Sequence, residues 1–417
     1  MKHRLIASGA LAAMLLMGSA SAQAADIARV PYKAGEGAKG VSKLVVVDNY
    51  AFPSAAYGTQ GDIQAQVDEI VKKMDATLKA KGLSGIGAML QHTIYLKDGG
   101  ASPLEVLGRF HATATALAPS LKDQPSVGTI VRVPAFADPN TLVAVDLTAG
   151  GPKPFGRKPF TFGPKEIVET IDDDTLIFTS GLEAMDFENG KLVPTIEEQI
   201  PVIVAKLQTA LKKHGLDVGN MVSHNLYVTK GTDPMTVITK FHEEARKYAP
   251  GLAQHPSVGT LVVVDGMAVP GFLLEMDAVA VKGNPADYKR VPFTEMPMDI
   301  AKTVDTGKLV FVAGMEGVDF EKKGSVSPDV YEQVDVAVKK IDASLKAAGL
   351  SIGDVVKAKL YVVKGADPEK VRARFNETAA KLAPSLKGKP PAETLIVVEG
   401  LAGPALKFET SVIAAKK

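Results

Sequence analysis

A set of landmarks recurs along this chain at intervals of about 130 residues, and that period constrains the fold more than any other feature. Gly82-Leu83, Gly215-Leu216 and Gly349-Leu350 stand 133 and 134 residues apart. Twelve or thirteen residues beyond each glycine a tyrosine lies in a strand-like run, as Tyr95, Tyr227 and Tyr361. Then come Pro125-Ser126-Val127-Gly128-Thr129, Pro256-Ser257-Val258-Gly259-Thr260 and Pro390-Pro391-Ala392-Glu393-Thr394, each with a proline ten residues past its threonine: Pro139, Pro270 and Pro404. A period of this length is a whole domain, well above the 20–50 residues of a solenoid repeat. The chain therefore divides into a segment over 1–24 and three units over 25–150, 155–282 and 287–417, the first of them degenerate.

The local patterns agree from unit to unit. Val67, Ile70, Val71, Met74 and Leu78 recur at helical spacing, as do Ile200, Ile203, Val204, Leu207 and Leu211, then Val334, Ala337, Val338, Ile341 and Leu345. Thr195 with Glu198 has the spacing of a capping box, and Ser327-Pro328 reads as an N-cap followed by proline. A second helix in each unit opens at Ser102-Pro103, Asp233-Pro234 or Asp367-Pro368 and closes before Pro119, Pro250 or Pro384. Leu44-Val45-Val46-Val47 reads as the counterpart of Leu176 to Gly181 and Leu309 to Gly314. The predicted order is ββαβαββ, an α+β unit.

Net charge is +1 with the two signs interspersed, which argues against a nucleic-acid partner. Cysteine is absent, so disulfides, thiolate metal sites and cysteine nucleophiles are excluded. The start reads as an export signal: basic Lys2-His3-Arg4, an apolar run to Gly18, and Ala22-Gln23-Ala24 before a cleavage point at Ala25. The competing reading, an uncleaved anchor, asks for about 20 apolar residues, more than this run supplies. A soluble periplasmic or secreted protein without membrane attachment is the expectation.

These landmarks, and above all Gly349-Leu350-Ser351-Ile352-Gly353-Asp354-Val355-Val356-Lys357, resemble the Rid (YjgF/UK114) family. Gln66, Gln199 and Gln333, each 16 residues before the helix-ending glycine, strengthen the resemblance. It implies a chorismate-mutase-like, YjgF-like fold and an assembly of three around a central barrel, with a cleft at each interface. Three copies in one chain imply an intrachain pseudo-trimer, monomeric in solution, with no cofactor.

The family's active members hydrolyse enamines and imines, holding the substrate carboxylate with an arginine and positioning water with an acid on the last strand. Carried onto this sequence, the arginine position falls on Val127, Val258 and Ala392, and the acid position on Asp146, Asp277 and Ser411. Ser180, before Gly181, matches a substrate-contacting hydroxyl, and His255 lies nearest the expected cleft. No metal-ligand set is spaced along any element. The resemblance thus implies small-metabolite binding in clefts between units without the usual deaminase activity. The alternative is a divergent enamine/imine deaminase in which Asp146 and Asp277 position water.

Overall fold

The computed structural model describes residues 27–33, 36–37, 39–99, 101–150, 156–162, 165–186, 191–295 and 299–416. The expected signal segment and most of the first linker lie outside these residues. Among the described residues no helix is long and apolar enough to cross a membrane.

Among the described residues six α-helices fall where the sequence pattern places them. They are α1 (Ile63–Lys79), α2 (Pro103–Leu117), α3 (Ile196–Lys212), α4 (Pro234–Tyr248), α5 (Val330–Ala347) and α6 (Pro368–Leu382). Every residue of the three apolar stripes on α1, α3 and α5 is buried. The capping box forms at Thr195 and Glu198. At α5 the cap is Asp329 instead of Ser327, because Asp329 accepts from Tyr331 N while the Ser327 hydroxyl is taken by Glu332 and the Asp329 amide. Asp233 and Asp367 cap α4 and α6 with side-chain oxygens, and proline follows both.

Each helix pair covers one face of a sheet. In the third unit the strands run in the order Lys289–Pro292, Ala301–Asp305, Leu309–Glu316, Phe408–Ala415, Val355–Val363, Ala392–Val398. The last two are parallel, joined by the α6 crossover, and the other pairs are antiparallel. The first two sheets share this order. Among the described residues, three strands of each main sheet precede the first helix of the unit, one more than ββαβαββ. The added strand also shifts one correspondence. Leu44–Val47 belongs to the second strand of its unit, paired with Ile27–Pro31, and Tyr50–Pro53 is the counterpart of Leu176–Thr179.

The helix glutamines explain themselves. Gln66 donates from Nε2 to Asn140 O, and its Oε1 accepts from Leu142 N. Gln199 does the same with Gly271 O and Leu273 N, and Gln333 with Ala405 O and Lys407 N. Each is an amide buried on a helix, with donors and acceptor satisfied, that pins the loop entering the last strand.

The uncovered sheet faces meet one another. Tyr95, Tyr227 and Tyr361 share one apolar cluster with Val131, Val262 and Ile396, two residues from each unit. The second unit docks on the first through Gly181 N, which donates to Gly128 O at 2.9 Å, and by pairing Gly266–Met267 with Arg132 and Val131. The third docks on the second through Ala301 N to Ser257 O at 2.9 Å and Arg290 Nε to Pro256 O at 3.0 Å. The first docks on the third through Ala55 N to Glu393 O at 3.0 Å, and Arg29 donates to Pro390 O and Val355 O, both at 2.8 Å. The opening Arg-Val-Pro motif is thus an interface clamp in the first and third units.

Candidate binding clefts between the units

The acids expected to position water lie near the axis and not in the clefts. Asp146, facing Thr93 across the sheet, receives Lys357 Nζ at 2.5 Å, Lys359 Nζ at 3.1 Å and the Thr394 hydroxyl at 2.7 Å, all from the third unit. Burial would raise its pKa, but the two ammonium groups outweigh burial and hold it at about 2. A carboxylate tied to two lysines is a poor base, so the water-positioning role does not fit Asp146. Asp277 is buried too. It accepts from Asn225 Nδ2 at 2.7 Å, and burial pushes its pKa up. Ser411 and Asp146 line a small axial cavity of about 70 Å³.

The positions matched to the arginine are core. Val127, Val258 and Ala392 are fully buried among apolar side chains. One residue further along the strand the chain turns to the clefts, at Gly128, Gly259 and Glu393. Gly128 pairs with His92, Gly259 with His224, and Glu393 with Ala358. The imidazoles fill the space a side chain would take: a methyl group on Gly259 would stand 2.8 Å from His224 Nε2. Each of these histidines shares a 3.0 Å hydrogen bond between Nδ1 and a serine, Ser126 or Ser257. Burial lowers both to a pKa of about 3, so both are neutral. In the third unit the arrangement reverses: alanine leaves the room and glutamate fills it.

Besides Glu393, two cross-strand glutamate pairs absent from the expectation lie at the unit boundaries. Glu183 lies opposite Glu275, and Glu316 opposite Glu409. Directly opposed residues sit within about 5.5 Å at Cβ. Burial, reinforced by the facing carboxyl, raises Glu275 and Glu409 well above the usual carboxylate range. Glu409 bonds the backbone of Leu261 in the second unit, and its Oε2 has no hydrogen-bond partner. A side chain at Gly314 would run into Glu409 Oε1 and displace that carboxyl. The corresponding pair in the first unit is Tyr57 and Ala144.

Glu316 and Glu409 line a cavity of about 230 Å³ between the second and third units. His224, His242, Met235, Phe293 and Leu406 supply much of the remaining wall. His242, with its pKa lowered by burial to about 4, is neutral as well. No lysine or arginine lines this cavity among the described residues. Lys340 stands behind it, donating to Glu316 O at 3.0 Å. Of the other expected residues, Ser180 is buried at the corresponding edge of the second unit, its amide donating to Glu169 O. His255 is half-buried in the loop before Val258–Val264, outside the lining of this cavity. A signal for the missed pairs is in the sequence: Gly181-Leu182-Glu183 and Gly314-Met315-Glu316 repeat, as do Glu275 and Glu409.

Repeated sheet-and-helix units with acid-bearing pockets between them define an α+β protein whose sites belong to no single unit. The model of the family described as endoribonuclease L-PSP matches residues 165–282 and 299–416, and this chain belongs to that family, also called YjgF. A RutC family protein of Pyrococcus abyssi is 31% identical over 122 residues, which is 27% of this chain and 96% of that protein. The 2-iminobutanoate/2-iminopropanoate deaminase of Salmonella typhimurium is 39% identical over 59 residues, 14% of this chain and 45% of that protein. The crystal structure of Escherichia coli TdcF with bound serine covers 31% of this chain and 94% of its own, at 26% identity and a TM-score of 0.26.

Proposed function

We propose that this is an exported protein of three Rid-like units, closed into an intrachain pseudo-trimer, that binds small uncharged metabolites in the cleft between its second and third units. The observation that carries the reading is the Glu316–Glu409 pair in a cavity whose described lining has no cation. A carboxylate ligand would meet two carboxyl groups and two neutral imidazoles, an uncompensated desolvation. An amide or alcohol would instead meet a carboxyl whose burial favours the protonated, donating form, at an oxygen with no other partner. On this reading 2-imino acids are not turned over, because nothing in the described lining holds their carboxylate.

The test compares propionamide with propionate by calorimetry on the mature protein. Propionamide should bind and propionate should not, and Glu409→Ala should weaken propionamide binding at least tenfold. Equal binding of the two would overturn the reading. A second reading, hydrolysis of an imine with Glu409 directing the water, is favoured by the same carboxyl pair and by the likeness to the Salmonella deaminase. Ammonia release from 2-iminobutanoate generated in situ, lost in Glu409→Gln, would establish it in place of the first.

A further inference from the structure

The cleft between the third and first units has its own chemistry. A cavity of about 250 Å³ lies between Tyr32, Val41, Ser54, Ala55 and Tyr57 of the first unit and Glu369, Arg372 and Glu393 of the third. Glu393 is 4% exposed, and neither of its carboxyl oxygens has a hydrogen bond. Its neighbours answer it only in part. Arg372 Nε stands 3.8 Å from Oε1, and the guanidinium is already bonded to Glu369 on the same helix. The amide of Asn376 also favours its ionised form. The Tyr57 hydroxyl accepts from Leu395 N at 2.8 Å and donates to Leu395 O at 2.9 Å, so it has no donor to spare for the cavity. The Tyr32 hydroxyl is engaged with Ser54.

A buried carboxyl lacking a donor is costly unless something supplies one. Arg372 and Glu369 cancel, so ionised Glu393 leaves the pocket one negative charge in excess. The remaining wall is aliphatic, with two aromatic rings suited to a cation. We propose that this cleft is a second binding site, specific for small primary alkylamines, whose ammonium group pairs with Glu393 while the alkyl chain packs between Val41, Ala55 and the tyrosines. It differs from the cleft between the second and third units because Ala358 and Glu393 replace the histidine and glycine found there.

Burial, opposed by Arg372 and Lys357 and reinforced by Glu369, raises Glu393 to about 8. Tyr32 and Tyr57 face it uncharged. Pairing with an ammonium requires the carboxylate, so binding expels a proton at neutral pH. Calorimetry with propylamine on the mature protein, in buffers of different ionisation enthalpy, should report release of about 0.9 proton per amine at pH 7. Affinity should rise nearly tenfold from pH 6 to 7, less from 7 to 8, and level off above it. Glu393→Gln should weaken binding more than tenfold and abolish the pH dependence. Saturating propionamide should leave propylamine binding unchanged, which separates this site from the neighbouring cleft. Propylamine binding without proton release, competition by propionate, or full affinity in Glu393→Gln would each overturn the proposal.

Discussion

The interface between the second and third units and that between the third and first are made from the same strands, yet they are held by different forces. The former is bridged by backbone bonds, the Arg290 clamp, a surface ion pair of Arg246 with Asp299 and an apolar wall. The latter adds Asp146 with Lys357 and Lys359, the Arg29 clamp, and the Ser54 and Tyr57 hydroxyls on strand Ala392–Val398. Consecutive units are joined by chain, whereas the third and first meet with no linker between them. Among the described residues the contact without a tether is the one with a buried ion pair, whose geometry admits few wrong alignments. Where a linker already selects the neighbour, backbone bonds, surface pairs and apolar packing suffice without a buried ion pair.

The largest effect expected from this contrast is that of Asp146→Ala. It leaves two lysines buried without a counter-charge and should cost about 3–5 kcal/mol, read as a lower urea midpoint by far-UV circular dichroism. The pH arm has a defined sign. Asp146 is held at about 2, below the about 3.9 of an unfolded aspartate, so its contribution is complete above pH 4 and lost as pH falls through 2. A cost below about 1 kcal/mol would break the contrast between the interfaces. Next in size, joint Ala358→His and Glu393→Gly would give the third unit the histidine–glycine arrangement of the second. Amine binding in that variant should fall more than tenfold in the calorimetric assay, with no proton release. Smallest, Ser54→Ala removes a hydroxyl that accepts from Glu393 N at 2.8 Å and donates to Ser42 O at 2.7 Å. The loss should be about 1–2 kcal/mol by the same unfolding measurement.

How much of this was legible in the sequence depends on the distance over which each feature is decided. The helices, their proline-marked ends and the clamping glutamines follow from neighbours a few residues away and repeat at fixed spacing. The extra strand before α1 did not, because Tyr50–Pro53 has four residues and follows the preceding strand after two. Counting from a proline placed the acids at Asp146 and Asp277, but a count cannot tell which of two nearby positions faces the axis and which the cleft. Glu316 and Glu409 meet only because strands 93 residues apart in sequence pair in register. The exchange of His224 and Gly259 for Ala358 and Glu393 was likewise present in the letters, yet it has meaning only once the two strands are known to be parallel partners.

The axial residues carry a consequence for how such a protein can change. Thr93, Asn225 and Lys359 occupy one position in three units, each opposite Asp146, Asp277 or Ser411 on its own sheet. In a ring of three identical subunits a single codon sets all three copies. A lysine there would arrive in triplicate, facing two others across the axis with its counter-charges still to be found. Here one codon alters one place. A cleft can acquire a new ligand while its neighbour keeps the old one, so the gene explores combinations of sites that no symmetric ring can encode.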